Sequence, residues 1–177
     1  MERYGQRLFA TGDEECARMA ALAVSYDSAT QSVIEQLKIR PGGRCLEVGT
    51  GHGSMAVWLA DQGLSVMAVD RETCHLPETP GITPFMCNVI DEPLPAGDYD
   101  LVHARFLLMH LPAAQAVLHK MHQSVALSGW LVVADADDAF CRTSPYEDSR
   151  RGSRRQLRHA VTRLRDPHPG QAQTDLR

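Results

Sequence analysis

The chain is 177 residues long, 44% hydrophobic and 23% charged, a balance that fits one folded domain and excludes disorder throughout. Its longest apolar runs, such as Phe106 to Met109 and Trp130 to Ala134, fall far short of the roughly 20 residues that cross a bilayer as a helix. The formal net charge of −4 hides an asymmetry: residues 1–148 hold 10 basic and 20 acidic side chains, whereas 149–177 hold 8 arginines against Asp166 and Asp175. An acidic body argues against sequence-independent binding of nucleic acid, which relies on neutralising phosphates.

Five cysteines without a CxxC pair make neither a disulfide framework nor a zinc knuckle. The opening Met1-Glu2-Arg3-Tyr4-Gly5-Gln6 lacks the charged-then-apolar pattern of a secretory signal. A reducing, cytoplasmic setting is the expectation.

In chain order, the first 40 residues read as helix, with Val33, Ile34 and Leu37 on one face, Asp27 or Ser28 able to cap, and Pro41-Gly42-Gly43 as the stop. Short Val- and Leu-rich runs then alternate with helix-like segments, the pattern of an α/β domain. Strands are predicted at Cys45 to Val48, Ser65 to Val69, Ile82 to Met86, Tyr99 to Ala104 and Trp130 to Ala134. Helices are predicted at Ser54 to Gln62 and Pro112 to Val125, the latter with Val117, Leu118, Met121 and Val125 inward. Pro77 and Pro80 leave room for at most one helical turn between the second and third strands, and Pro84 suits an edge position for the third.

Residues 1–143 therefore read as one domain and 144–177 as an arginine-rich tail. Leu157, Val161 and Leu164 are spaced i, i+4, i+7, which suggests a short amphipathic helix over about 150–165 in an otherwise unordered tail. So abrupt a change of composition is also what a C-terminal truncation or frame change would leave.

The most informative stretch is Leu46-Glu47-Val48-Gly49-Thr50-Gly51-His52-Gly53-Ser54, a strand entering a glycine-rich turn and then a helix. Glycines permit close backbone approach to a ligand and dihedrals closed to other residues. Asp70 follows Gly49 by 21 residues, near the separation at which a doubly wound fold offers a carboxylate to ribose hydroxyls. Ser54 stands where a dinucleotide fingerprint would place its third glycine, and no lysine follows Gly53 as in a phosphate-binding P-loop. A nucleoside cofactor is expected, with a nicotinamide oxidoreductase and a nucleotide triphosphatase disfavoured.

Glu47-x-Gly49-x-Gly51-x-Gly53 with Asp70 resembles the cofactor loop of class I S-adenosylmethionine-dependent methyltransferases. Arg40 to Glu47 resembles that family's lead-in, Asp98 to Arg105 its fourth-strand motif, and Leu127-Ser128-Gly129-Trp130 its turn into strand five, so the likeness covers roughly residues 27–135. The resemblance implies a Rossmann-like, doubly wound and mostly parallel sheet with flanking helices, and S-adenosyl-L-methionine as cofactor. It places Gly49, Thr50, Gly51 and Gly53 against the methionine and ribose, Glu47 as orienter of the loop, and Asp70 on the ribose hydroxyls. Arg71 would flank the adenine, Asn88 accept from its amino group, Val89 add backbone and apolar contact, and Ala104, between His103 and Arg105, close over the methionine.

Methyl transfer from a sulfonium is an in-line displacement in which alignment supplies much of the rate, so a base is needed only for some acceptors. His103 is the first candidate for one and His110 the second, although eight histidines in one chain favour a structural role for either. Asp135, Asp137 and Asp138 read as an acidic loop more readily than as a hard-metal site. Cys74-His75 with Cys87 lacks zinc-ligand spacing, so no metal is expected.

The family normally adds a helix and an antiparallel hairpin after strand five, and about 40 residues with no evident strand pair remain here. A sheet of about five strands without those last antiparallel ones is expected. Its fifth strand would then show an open edge suited to a homodimer or a partner subunit. The expected function is methyl transfer to a small-molecule acceptor; the missing strands motivate an alternative, a non-catalytic S-adenosylmethionine-binding or subunit-interaction protein.

Overall fold

The computed structural model describes residues 13–137, 156–163 and 175–176. The elements are α1 (Asp13–Glu35), β1 (Arg44–Val48), α2 (Ser54–Asp61), β2 (Ser65–Asp70), β3 (Ile82–Met86), β4 (Tyr99–Arg105), a 3-10 turn (Leu108–His110), α3 (Ala114–Gln123), β5 (Val125–Asp137), β6 (Gln156–Arg163) and β7 (Asp175–Leu176). They build one sheet in the order β3-β2-β1-β4-β5-β6-β7. The first five strands of that order run parallel, and β6 and β7 antiparallel to their neighbours. The order reverses direction at β1, the switch point where doubly wound sheets open a crevice above their carboxyl ends.

β1 is central and, after Arg44, buried on both faces, as its apolar Cys45, Leu46 and Val48 reflect, with Glu47 the one polar residue among them. Side chains alternate across the sheet. Leu46, Val48, Val102 and Leu131 pack with Val117 and Met121 of α3 on one face. Cys45, Leu101 and Val132 pack with Ile34 of α1 and Met55, Ala56 and Leu59 of α2 on the other. Leu118, expected inward, is 38% exposed, and Val125 is buried as the first residue of β5 rather than as the end of a helix.

Pro84 sits in β3 without disturbing it. The amide of Cys87 donates to Asp70 of β2, and in a parallel ladder the amides of alternate residues face the same neighbour, so Pro84 lacks its N–H on the outward side. No helix fills the β2–β3 connection, as Pro77 and Pro80 require.

Two expectations are corrected. The sheet has seven strands, and the antiparallel pair expected to be missing is present. Residues 156–163 are not helix: they pair with β5 from Trp130↔Arg163 to Asp137↔Gln156. A spacing of four is even, so positions 157 and 161 share a strand face as well as a helix face, and the unmet backbone groups of a 13-residue β5 decide for the strand. The edge of β5 proposed for a partner is thereby covered. The rest of the predicted tail helix, residues 150–155 and 164–165, lies outside the described residues. No helix among the described residues is long and apolar enough to cross a membrane.

Candidate functional site

The turn after β1 is held to β2 by its backbone: the amides of Gly49 and Thr50 both donate to the Val69 carbonyl, at 2.8 and 3.1 Å. Gly49, Gly51 and Gly53 take φ values of 74°, 55° and 81°, the left-handed region open to glycine. Each also lies under an apolar side chain from a different element. A Cβ would stand 2.9 Å from Leu107 Cδ1 at Gly49, 2.5 Å from Met19 Cε at Gly51 and 2.6 Å from Leu76 Cδ2 at Gly53. Asp70, at the end of β2, accepts from the Gly51 amide at 2.8 Å through Oδ2 and from its neighbour Arg71 at 2.7 Å through Oδ1. Oδ1 also accepts from the Glu72 amide at 3.5 Å, so one lone-pair position of that half-buried carboxylate, on Oδ2, stays available for a hydroxyl donor. The Thr50 hydroxyl is buried and has no hydrogen-bond partner among the described residues.

On the α1 face of the sheet a polar layer continues from this turn. Glu47 and His103 are register partners on β1 and β4, and Glu47 Oε2 meets His103 Nδ1 at 2.6 Å with both side chains in the core. Farther along β4, Arg105 Nη2 meets Asp27 of α1 at 2.6 Å and donates to the Ser54 hydroxyl of α2 at 3.3 Å. His159 of β6 lies 3.2 Å from the buried Thr30 hydroxyl of α1. Its pKa is lowered by burial first, then by repulsion from His103 and Arg105. These contacts seat α1 over the carboxyl end of β4 and the middle of β6.

After Arg105 the chain reverses sharply at Phe106, whose φ of 53° is costly for a residue with a side chain. The Phe106 ring packs edge-on against Tyr26 of α1, centroids 5.1 Å apart. The reversal puts Leu107 over Gly49. Asp135, near the end of β5, accepts from the Met109 amide at 3.2 Å. Burial pushes its carboxyl up to about 6, against the lowering effect of the amides of Met109, Leu107 and Phe106.

The structure thus brings Gly49, Thr50, Gly51, Gly53 and Asp70 together at the carboxyl ends of β1 and β2. Arg71 is exposed beside Asp70. Asn88 lies next along from β3 but is engaged in its own turn: Oδ1 accepts from Ile90 at 3.2 Å and Nδ2 donates to Asp91 at 2.6 Å. Val89 is buried, and its carbonyl accepts from Lys120 at 2.9 Å. Ala104 is fully buried within β4. Glu47 is turned to His103, and the loop is oriented by the Val69 carbonyl. His103 is 0% exposed, so its ring has no surface from which to take a proton from an acceptor. Asp137 is the last described residue of β5, and Asp138 lies outside the described residues.

Met19, Asp27, Leu107 and His159 were not singled out from the sequence as site residues. Their positions depend on how α1, the β4 turn and β6 pack, and no local motif marks them.

A family model described as "Methyltransferase domain" matches residues 24–171. The chain belongs to the class I S-adenosylmethionine-dependent methyltransferase family. It is 39% identical over 98 residues to Methyltransferase str3 of Strobilurus tenacellus, covering 53% of this chain and 35% of that protein. It is 30% identical over 109 residues to a demethylmenaquinone methyltransferase of Beutenbergia cavernae, covering 59% of this chain and 45% of the relative. Among solved structures, coclaurine N-methyltransferase bound to N-methylheliamine and SAH shares the fold, with a TM-score of 0.53 at 18% identity over 72% of this chain and 38% of the other. The chain spans less than half the length of these relatives.

Proposed function

We propose that this chain binds S-adenosyl-L-methionine at the glycine turn and transfers its methyl group to a small-molecule acceptor. The observation that carries the reading is the joining of three left-handed glycines to the Asp70 carboxylate through the Gly51 amide. The residues present suit an adenosyl ligand: the Asp70 carboxylate stands against the Gly51 amide with Oδ2 open to a further donor, and the buried Thr50 hydroxyl has no hydrogen-bond partner among the described residues.

In this reading Asp70 accepts from a ribose hydroxyl, Gly49, Thr50, Gly51 and Gly53 line the methionine and ribose, and Arg71 covers the adenine edge with Asn88 and Val89. Glu47 and His103 act from below by fixing β1 against β4. The sulfonium of the bound cofactor supplies an activated methyl group. Met19 and Leu107 exclude water from the turn, and exclusion of water with alignment of the acceptor provides the rate without an obligatory base. An acidic body and a relative named for a quinone substrate support a small acceptor over a nucleic acid. The antiparallel strands remove the motive for a non-catalytic protein.

Calorimetric titration with S-adenosylmethionine and S-adenosylhomocysteine, with NAD as control, tests the reading. Micromolar binding of both sulfur ligands and none of NAD is expected. Asp70→Ala should weaken binding by about 1.5–3 kcal/mol, the worth of hydrogen bonds to a charged group. An unchanged affinity in that variant would remove Asp70 from the site.

A further inference from the structure

At the rim of the glycine turn, in the β2–β3 connection, Glu72, Cys74 and His75 converge. One ligand atom of each, a carboxylate oxygen, the sulfur and a ring nitrogen, lies within 4.8 Å of the other two. We propose that these three side chains form a zinc site.

The chemistry of the set favours that ion. A thiolate and an imidazole are the preferred ligands of zinc and poor ones for magnesium or calcium, while a carboxylate completes a three-residue set that leaves the fourth position to water. An ionised Glu72 and a Cys74 thiolate balance the charge of a dication, and the thiol proton passes to the solvent when the metal binds. Tetrahedral zinc holds such ligand atoms about 3.3–3.8 Å apart, as bond lengths of about 2.0–2.3 Å require. The separations here are at most 4.8 Å, so closing takes a contraction of no more than about 1–1.5 Å, within reach of side-chain rotation. All three residues are exposed, so the ion can arrive hydrated and no buried group has to be uncovered.

The surroundings prepare one of the ligands. The His75 ring stacks on that of His52, centroids 4.8 Å apart and planes 3° from parallel, which restricts the orientation of His75 before any metal arrives. His52 lies between Gly51 and Gly53, so a metal held here ties the β2–β3 connection to the glycine turn. That connection contains no helix and few backbone hydrogen bonds, among them Leu76 to Thr73 at 3.2 Å, and it carries Leu76, which covers Gly53. The thiol that sequence spacing grouped with Cys74 and His75 is not part of the cluster: Cys87 is buried, with its sulfur 3.6 Å from the Pro93 carbonyl. Glu72 takes its place.

The test uses the full chain without a histidine tag, stripped with chelator and titrated with cobalt(II), then zinc. The expected result is a thiolate-to-cobalt charge-transfer band in the near ultraviolet that saturates at one equivalent and is displaced by zinc. Cys74→Ser should abolish the band, and His75→Gln should weaken cobalt binding by more than about tenfold, with far-ultraviolet circular dichroism unchanged. Absence of the band in the parent protein overturns the proposal. So does a band that survives in Cys74→Ser, since another thiol would then be the ligand; if that variant fails to fold, unweakened binding in His75→Gln overturns it instead. The readout is spectroscopic and stands or falls apart from methyl transfer.

Discussion

Glu47 and His103 face each other in register across β1 and β4 and meet at 2.6 Å in the core. A carboxylate and an imidazole so placed have exchanged water for each other, and removing one strands the other. Glu47→Ala should destabilise the fold by about 3–5 kcal/mol, read as a lower urea midpoint with an unchanged slope. Glu47→Gln, which can still accept from the ring, should cost distinctly less. Equal losses in the two variants would show that packing, not the hydrogen bond, is what the pair contributes.

Arg105 pins α1 to the sheet through Asp27, and both side chains are largely withdrawn from water at 10% and 20% exposure. Arg105→Gln should leave β1 and β4 protected while amide exchange in α1 accelerates by about tenfold or more, as loss of hydrogen bonds to a charged group implies. Uniform acceleration across the chain would mean that α1 has no separate opening.

Asp135 gives the fold a pH dependence of definite sign. Its carboxyl is raised to about 6 in the folded chain from an unfolded value of about 3.9. Between those values the native state retains a proton that the unfolded state has lost, so this group makes stability fall as pH rises through the window, and the loss is complete above it. Asp135→Asn should flatten the difference in stability between about pH 4 and pH 6.5. A profile identical to that of the parent protein would exclude this carboxyl as the source.

Gly129 lies in the irregular stretch of β5 beside the start of β4, and a Cβ there would stand 2.8 Å from the Tyr99 carbonyl and 2.9 Å from that of Ala126. Backbone oxygens cannot rotate away as a methionine terminus can. Gly129→Ala should therefore cost about 1–3 kcal/mol, the range for overpacking, whereas at Gly51 the opposing Met19 can yield and only the φ of 55° resists. Thermal melts of the two variants check the contrast.

The parallel half of the sheet was legible because its strands are buried runs bounded by turn residues: Ile82–Met86 was placed at both ends, and β1, β2 and β4 within one residue. The glycine turn and Asp70 were legible because they are adjacent to those strands in sequence. β6 was not, since the spacing of Leu157 and Val161 satisfies two periods at once and the deciding partner, β5, lies far away in the chain. β5 itself was underestimated, because residues between its pairings Tyr99↔Val125 and Leu101↔Trp130 bulge through Ser128 and Gly129 and read locally as a turn. The α1 contacts had no local signal: Asp27 reads as a helix cap, and only tertiary packing turns it towards Arg105.

Pro84 makes the sheet directional. Its missing donor lies on the side of β3 that faces away from β2, so a strand approaching there from another molecule would meet a pyrrolidine ring where it needs an amide. Phe85 and Met86 are 39% and 73% exposed beside that gap, an apolar border that would otherwise invite intermolecular pairing. One proline in the middle of a five-residue strand thus does for this end of the molecule what a capping helix does elsewhere: it lets an oily margin face water without becoming adhesive.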